Sequence, residues 1–279
     1  MMELKQLLNI QKIKYKSNIY MTEKKLFFGL RKSKEEPHDK ILRYSCECTN
    51  IDFPIKFSLK DKVKIVYDQL NLNSCSANAA ANFIKMSDTD NLIKCDAISR
   101  LYLYFCTRWI DNDYKFPIQD QGATLKSVFK ALEKYNYIDE DKYPYLTTVV
   151  NDVPYKHIFE EALTINKCPI LSYKQIFQSK SSIKCALYKL QKPILFGMQV
   201  YNEFFNITKE NDILSMHNEN SELIGAHAVV IVGFDDATDT FEILNSHGSK
   251  FGNEGYFRMP YSYALNPELA FEFYICNWK

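Results

Sequence analysis

The sequence predicts an α+β chain in two lobes: a helical N-terminal lobe, then an antiparallel β-rich lobe, with a cleft between them. Three observations carry this. Segments of the first half repeat apolar residues at helical spacing. The second half is dominated by β-branched and aromatic runs, two of them joined by a short turn. The change of character falls near residues 145–155, in "YPYLTTVVNDVP", and a length of 279 residues suits one large domain or two lobes.

The elements follow in chain order. Residues 1–50 are rich in Lys and Glu, with only a weak apolar pattern, and read as an N-terminal arm or pro-segment. Their apolar residues, Leu4, Leu7, Leu8, Ile10, Ile13, Leu26, Phe27 and Phe28, would be costly to leave in water, so part of the arm is expected to pack on the body, as a brace or across the cleft. The main domain spans 51–279, its helical lobe about 70–150 and its β-rich lobe about 151–279. From Asp52 to Gln69 the chain reads as extended, with Pro54 arguing against helix. A helix starts near Ser74 or Cys75, with Ala79, Ala80, Phe83 and Ile84 on one face. A second covers about 96–110, and a third begins after Gly122, with Leu125, Val128, Phe129, Leu132 and Tyr135 in register. Further on, "KPILFGMQVY" (192–201) reads as a buried strand entered through Pro193. "AHAVVIVGFDD" (226–236) and "TFEILN" (240–245) read as a hairpin about the turn "DATD", and "FGNEGYFRMPY" leads into another strand.

Composition excludes several classes. The 35 basic and 34 acidic residues leave a formal charge of +1, which argues against an electrostatic nucleic-acid binder. The basic run in "TEKKLFFGLRKSK" is followed at once by acids and reads as a solvated arm. No stretch approaches the apolar length of a membrane helix, and the N-terminus does not read as a secretory signal. On that basis the eight cysteines are expected to be free thiols, and the protein to work in the cytoplasm or another intracellular compartment. Cys46 and Cys48 form only a C-x-C, so no structural zinc site is expected, nor any other metal.

The residues that could carry chemistry are few. In "VYDQLNLNSCSANAAANFI", Cys75 stands at a predicted helix start, where the dipole favours the thiolate. Gln69 lies six residues upstream, close enough for its amide to face an oxyanion formed beside the thiol. Of five histidines, His38, His157 and His217 lie in polar or loop-like text. His227 instead opens the most apolar strand, as a general base on a rigid element would. Asn245 ends the returning strand of the hairpin, so it comes out opposite His227 or nearly so, where its amide could hold the imidazole in one tautomer.

These segments carry a resemblance. The chain resembles the papain family of cysteine peptidases, in its cathepsin-like form, over about 52–279. "VYDQLNLNSCSANAAA" looks like the family's approach to its nucleophile, "GAHAVVIVGFDD" like its histidine strand, and "ILNSHGSKFGNEGYFRMPY" like its Asn-Ser-Trp-Gly segment and the strand after it. "QGATLKSVFKALEKYNYIDEDKYPY" and "KPILFGMQVYNEFF" resemble the substrate-binding wall with its helix and the Pro-led central strand. The resemblance implies a papain-like fold with Cys75 as nucleophile, His227 as base and Asn245 as the residue that orients it. It implies an oxyanion hole from Gln69 and the Cys75 N–H, and Gly122 on the wall that binds the substrate backbone. The reaction implied is hydrolysis of peptide or protein substrates through a thioester, without cofactor or metal.

The chain also departs from the pattern. Leu70 replaces the Gly usual after the Gln, and Leu72 replaces a disulfide cysteine. Ser76 stands in place of an aromatic residue, His247 in place of the Trp that shields the His–Asn pair, and Phe251 where Trp is common. Two rival readings therefore stand beside the peptidase: a weak or inactive papain-like peptide binder, and another thiol acyltransferase. The lack of histidine between His38 and His157 favours an endopeptidase over the family's carboxydipeptidases. Nothing in the sequence speaks to oligomeric state.

Overall fold

The computed structural model describes residues 26–34, 52–165 and 170–278. The arm's apolar residues Leu4 to Ile13, His38 and the Cys46–Cys48 pair lie outside the described residues.

The helical lobe is built on three helices: α1 (Cys75–Ser87), α2 (Arg100–Asp111) and α3 (Leu125–Tyr135). Helix α1 is buried almost throughout, and its small Ala77, Ala79, Ala80 and Ala81 let neighbours approach it on every side. Helix α2 starts later than its apolar pattern suggests, because the Ser99 side chain caps it by accepting from Tyr102 N–H at 3.2 Å. Thr124 caps α3 in the same way through Ser127 N–H, at 3.2 Å.

The β-rich lobe holds strands β1 (Lys56–Ser58), β2 (Ile170–Gln175), β3 (Ile194–Tyr201), β4 (Leu223–Asp235), β5 (Thr240–Leu244), β6 (Tyr256–Pro260) and β7 (Ala270–Trp278). They form an antiparallel sheet in the order β2-β7-β3-β4-β5-β6, with β1 paired to β4. Helices α4 (Lys156–Thr164) and α5 (Lys180–Tyr188), the single turn α6 (Tyr261–Ala264) and three short 3-10 turns (Lys60–Lys62, Thr147–Val149, Asn202–Asn206) complete the described elements. Helix α1 packs on β4, and α3 meets the sheet through Phe129, which stacks on Tyr173 at 4.2 Å. The two lobes thus share one core, and the N-terminus of α1 faces the start of the buried part of β4.

One expectation fails here. Cys75, Cys95, Cys106 and Cys276 form no disulfide, but Cys185, buried on α5, is disulfide-bonded. Pairing depends on which cysteines meet in space, which spacing along the chain does not report, so the cysteine argument for a reducing compartment is lost. Among the described residues no helix is long and apolar enough to cross a membrane.

Candidate active site

The hairpin register sets the centre of the site. β4 and β5 pair Val230 with Leu244, and continued past the end of β5 this register carries the chain back toward His227. Asn245 Oδ1 lies 2.7 Å from His227 Nε2 and also accepts the Ser246 backbone N–H at 2.8 Å. Both side chains are shut off from water, His227 fully and Asn245 to 2% exposure. This leaves His227 Nδ1 buried and with no hydrogen-bond partner.

Gln69 is held from all sides. Its Oε1 accepts from Ser246 Oγ at 2.7 Å, its backbone N–H donates to Ser246 O at 2.8 Å, and its carbonyl accepts from Tyr145 OH at 3.0 Å. Behind this loop the Arg100 guanidinium lies between the rings of Tyr67 and Tyr145, donates to Asp68 O and Asn78 Oδ1, and pairs with Glu140. Tyr145 and Arg100 carry no motif, and sequence reasoning did not find them; Ser246 stands in the Asn-Ser segment, directly after Asn245, but was given no role. Gln69 Nε2 donates to Leu72 O at 2.9 Å and to the carbonyl of Phe27 at 3.0 Å.

That second acceptor belongs to the arm. Residues 26–34 run through the cleft and are held by their backbone on both walls. Leu30 N–H donates to Ala226 O at 3.1 Å, Arg31 N–H to Ala123 O at 3.1 Å, and Ala123 N–H to Gly29 O at 2.9 Å. The pairing is parallel on both sides. Gly122 does stand on this wall, but Ala123 makes the hydrogen bonds; a Cβ on Gly122 would fall 1.7 Å from Gly29 O, and its φ of +77° suits glycine. Leu30 is buried beside Gly197 and Phe271, Arg31 pairs with Asp111 at 3.0 Å, and the Ser33 N–H and hydroxyl both donate to Glu272, each at 2.7 Å. Phe28 presses edge-on against His227, His247 and Phe204.

Cys75 is the first residue of α1 and has no exposure. Burial pushes its thiol up to about 11, and backbone groups of Ala228, Gly29, Ser76 and Cys75 itself offset only part of this. The helix start was expected to lower it; instead, loss of water outweighs the dipole. Burial, and then the neighbouring His247, hold His227 well below the usual histidine range, with the Asn245 bond opposing. With the arm in place, burial favours the uncharged form of both groups. The described residues contain no cluster of His, Cys, Asp or Glu able to hold a metal. His157 stacks on Tyr155 and His217 on Tyr201, away from the site.

A cleft between a helical lobe and an antiparallel sheet, with a helix-start cysteine on one wall and a histidine strand on the other, defines the papain-like class of fold. Residues 53–270 match the papain family of cysteine proteases, and the chain belongs to that family. It is 30% identical over 278 residues, covering 89% of this chain and 86% of the other, to an uncharacterized peptidase C1-like protein of Acanthamoeba polyphaga mimivirus. Among solved structures, xylellain, a cysteine protease from Xylella fastidiosa, superposes with a TM-score of 0.80 at 27% identity, over 94% of this chain and 100% of that one. Digestive procathepsin L 3 of the Tenebrio molitor larval midgut shares the fold, with a TM-score of 0.62 at 18% identity, over 85% of this chain and 74% of that one.

Proposed function

We propose that this papain-family protein is a cysteine endopeptidase that hydrolyses peptide bonds through Cys75, His227 and Asn245, and that residues 26–34 keep it latent. The observation that carries the reading is the peptide already in the cleft. The chain's own backbone is held by Ala123 and Ala226, and the Gln69 amide donates to one of its carbonyls. A site that grips a backbone in this way suits peptide substrates. The described arm continues past the nucleophile in both directions, as the cleft of an endopeptidase requires.

In the working enzyme the proton of Cys75 passes to His227 Nδ1. The thiolate attacks the peptide carbonyl, and Gln69 Nε2 and the Cys75 N–H stabilise the oxyanion. His227 then donates its proton to the leaving amine and later activates the water that cleaves the thioester. Asn245 holds the ring so that Nδ1 faces the thiol throughout.

The test uses chain freed of its arm. An epoxide or fluoromethyl-ketone probe should label Cys75, a peptide substrate should release free amine, and Cys75→Ala should abolish both. Full turnover in the Ala variant would sink the assignment. Labelling without turnover would favour the peptide binder, and acyl transfer to an added amine without hydrolysis would favour the acyltransferase. Gln69→Ala should cost on the order of 10²–10³ in kcat, the range for one lost oxyanion donor.

A further inference from the structure

We propose that His247 is a positioning residue for His227, and that a proton on His247 disables the His227–Asn245 pair. The inference rests on the catalytic reading of those two residues. Asn245 is the pivot. Its Oδ1 takes the Ser246 N–H at 2.8 Å, a group that can only donate, and lies 2.7 Å from His227 Nε2. The other end of the carboxamide is therefore the NH₂ group, and it reaches His247 Nδ1 at 3.0 Å. An amide NH₂ only donates, so this Nδ1 must be unprotonated and His247 neutral. The same carboxamide orients both rings, which lie parallel, 3° apart in plane and 4.8 Å between centroids.

The surroundings leave His247 little room to adjust. It is 2% exposed and packed among the rings of Phe28, Phe204 and Phe251. Among the described residues, His227 on β4 faces it, and so does Asp68, whose backbone bridges to it. Asp68 Oδ1 takes the Leu70 N–H, and Oδ2 lies over Gly248. Glu203, in the turn that carries Phe204, is bonded instead to the Ser221 hydroxyl. Lys250 and Glu254 on the following loop are exposed.

Adding a proton at His247 Nδ1 brings two donors face to face. Either the carboxamide turns and withdraws its oxygen from His227, or the His247 ring leaves its stack. The proton also sets a positive charge one stacking distance from the ring that must itself become cationic during catalysis, which disfavours that cation. The direction agrees with the lowering effect of His247 on His227. Protonation of His247 therefore removes the arrangement on which His227 depends.

The experiment is an NMR titration of the full chain with ¹⁵N-labelled histidine, from about pH 8.5 down to the acid limit of the fold, wide enough to follow an imidazole lowered by burial. At the upper end, His247 should show the tautomer protonated at Nε2. As it gains a proton, the His227 and Asn245 side-chain signals should move in the same step. In His247→Phe, His227 should titrate alone, with its midpoint raised by on the order of one pH unit. An unchanged His227 midpoint in that variant, or a wild-type His247 protonated at Nδ1, overturns the proposal. His247→Trp serves as the second variant if Phe does not fold, and the wild-type tautomer decides the matter if neither does. The readout needs no turnover. Cys75→Ala should keep the coupled step even if the chain proves inactive on peptides, so the two readings fail separately.

Discussion

Gly29 lies against the loop that leads into Cys75. A Cβ there would lie 2.2 Å from Asn73 O, a backbone atom that cannot step aside. Gly29→Ala is therefore expected to lift the arm from the cleft while leaving the main domain folded. The full-length variant should show higher kcat/KM on a fluorogenic peptide than the wild type; equal or lower activity would mean that the docked arm does not limit turnover. The Cys75 thiol gives a second residue-scale expectation. Its pKa is raised from an ordinary 9.0 to about 11 by burial, so the docked site is favoured while the thiol stays protonated and loses that advantage as pH rises through this interval. Iodoacetamide labelling of Cys75 in the full chain should be slow near neutral pH and climb steeply toward about pH 11. A fast plateau at neutral pH would show that the thiol is already ionised. Gln69, Cys75, His227 and Asn245 were singled out as candidates because each has a residue type and a place along the chain that suit one role. Gly29 and Ser246 were not, since their roles come from segments that meet only in the folded chain.

At the scale of elements, legibility followed periodicity. The β4–β5 hairpin and helices α1 and α3 have long, regular apolar patterns, and the structure places them within a few residues of the reading. Helices α4 and α5 and strand β2 went unread because they are short and separated by polar runs; α5 owes its start to Ser179, which accepts from Ser182 N–H at 3.2 Å. Strand β7 is carried by "AFEFYICNW", whose aromatic alternation could have revealed it. One contact joins three of these elements. Asp236, just after β4, receives Lys184 Nζ at 2.5 Å and Lys180 Nζ at 3.0 Å from α5, and Tyr261 OH at 2.8 Å from α6. Burial opposes its charged form, but the bonds from Lys184, Tyr261 and Lys180 together bring its pKa below the ordinary 3.8. A carboxylate lowered on folding stabilises the fold above its unfolded pKa, and that contribution disappears as pH falls through the folded value. Asp236→Asn should therefore lower the melting temperature at neutral pH by a few degrees, a modest effect because the group is partly exposed. The gap to wild type should close as pH falls well below the ordinary 3.8, where the carboxylate is protonated in both states. A gap that persists in acid would assign the loss to packing instead.

For the molecule as a whole, the arm raises a choice between brace and inhibitor, and its contacts suit both readings. Arg31 pairs with Asp111 on α2 and with the Ala123 backbone, which belong to the helical lobe. Leu30 N–H bonds to Ala226, and Ser33 caps Glu272, which belong to the β-rich lobe. The segment thus crosslinks the two walls of the cleft while its Gly29 and Phe28 cover Cys75 and His227. Burying Leu30 alone contributes about 1.5–3 kcal/mol on the usual scale for such a side chain, so the arm is held in place by more than the fit of its backbone. Its parallel pairing with both walls fixes the chain direction through the site. A brace distant from the chemistry would change stability alone, and a loosely tethered plug would change activity alone. A chain starting near Asp52 should instead show both changes at once: higher kcat/KM on the same fluorogenic peptide, and a melting temperature several degrees lower. Supplying a synthetic peptide of residues 26–34 should reverse both, because its contacts need no covalent link to the body. Equal activity with a lower melting point would reduce the arm to a brace, and higher activity with unchanged melting would mean that the crosslink between the lobes carries no energy.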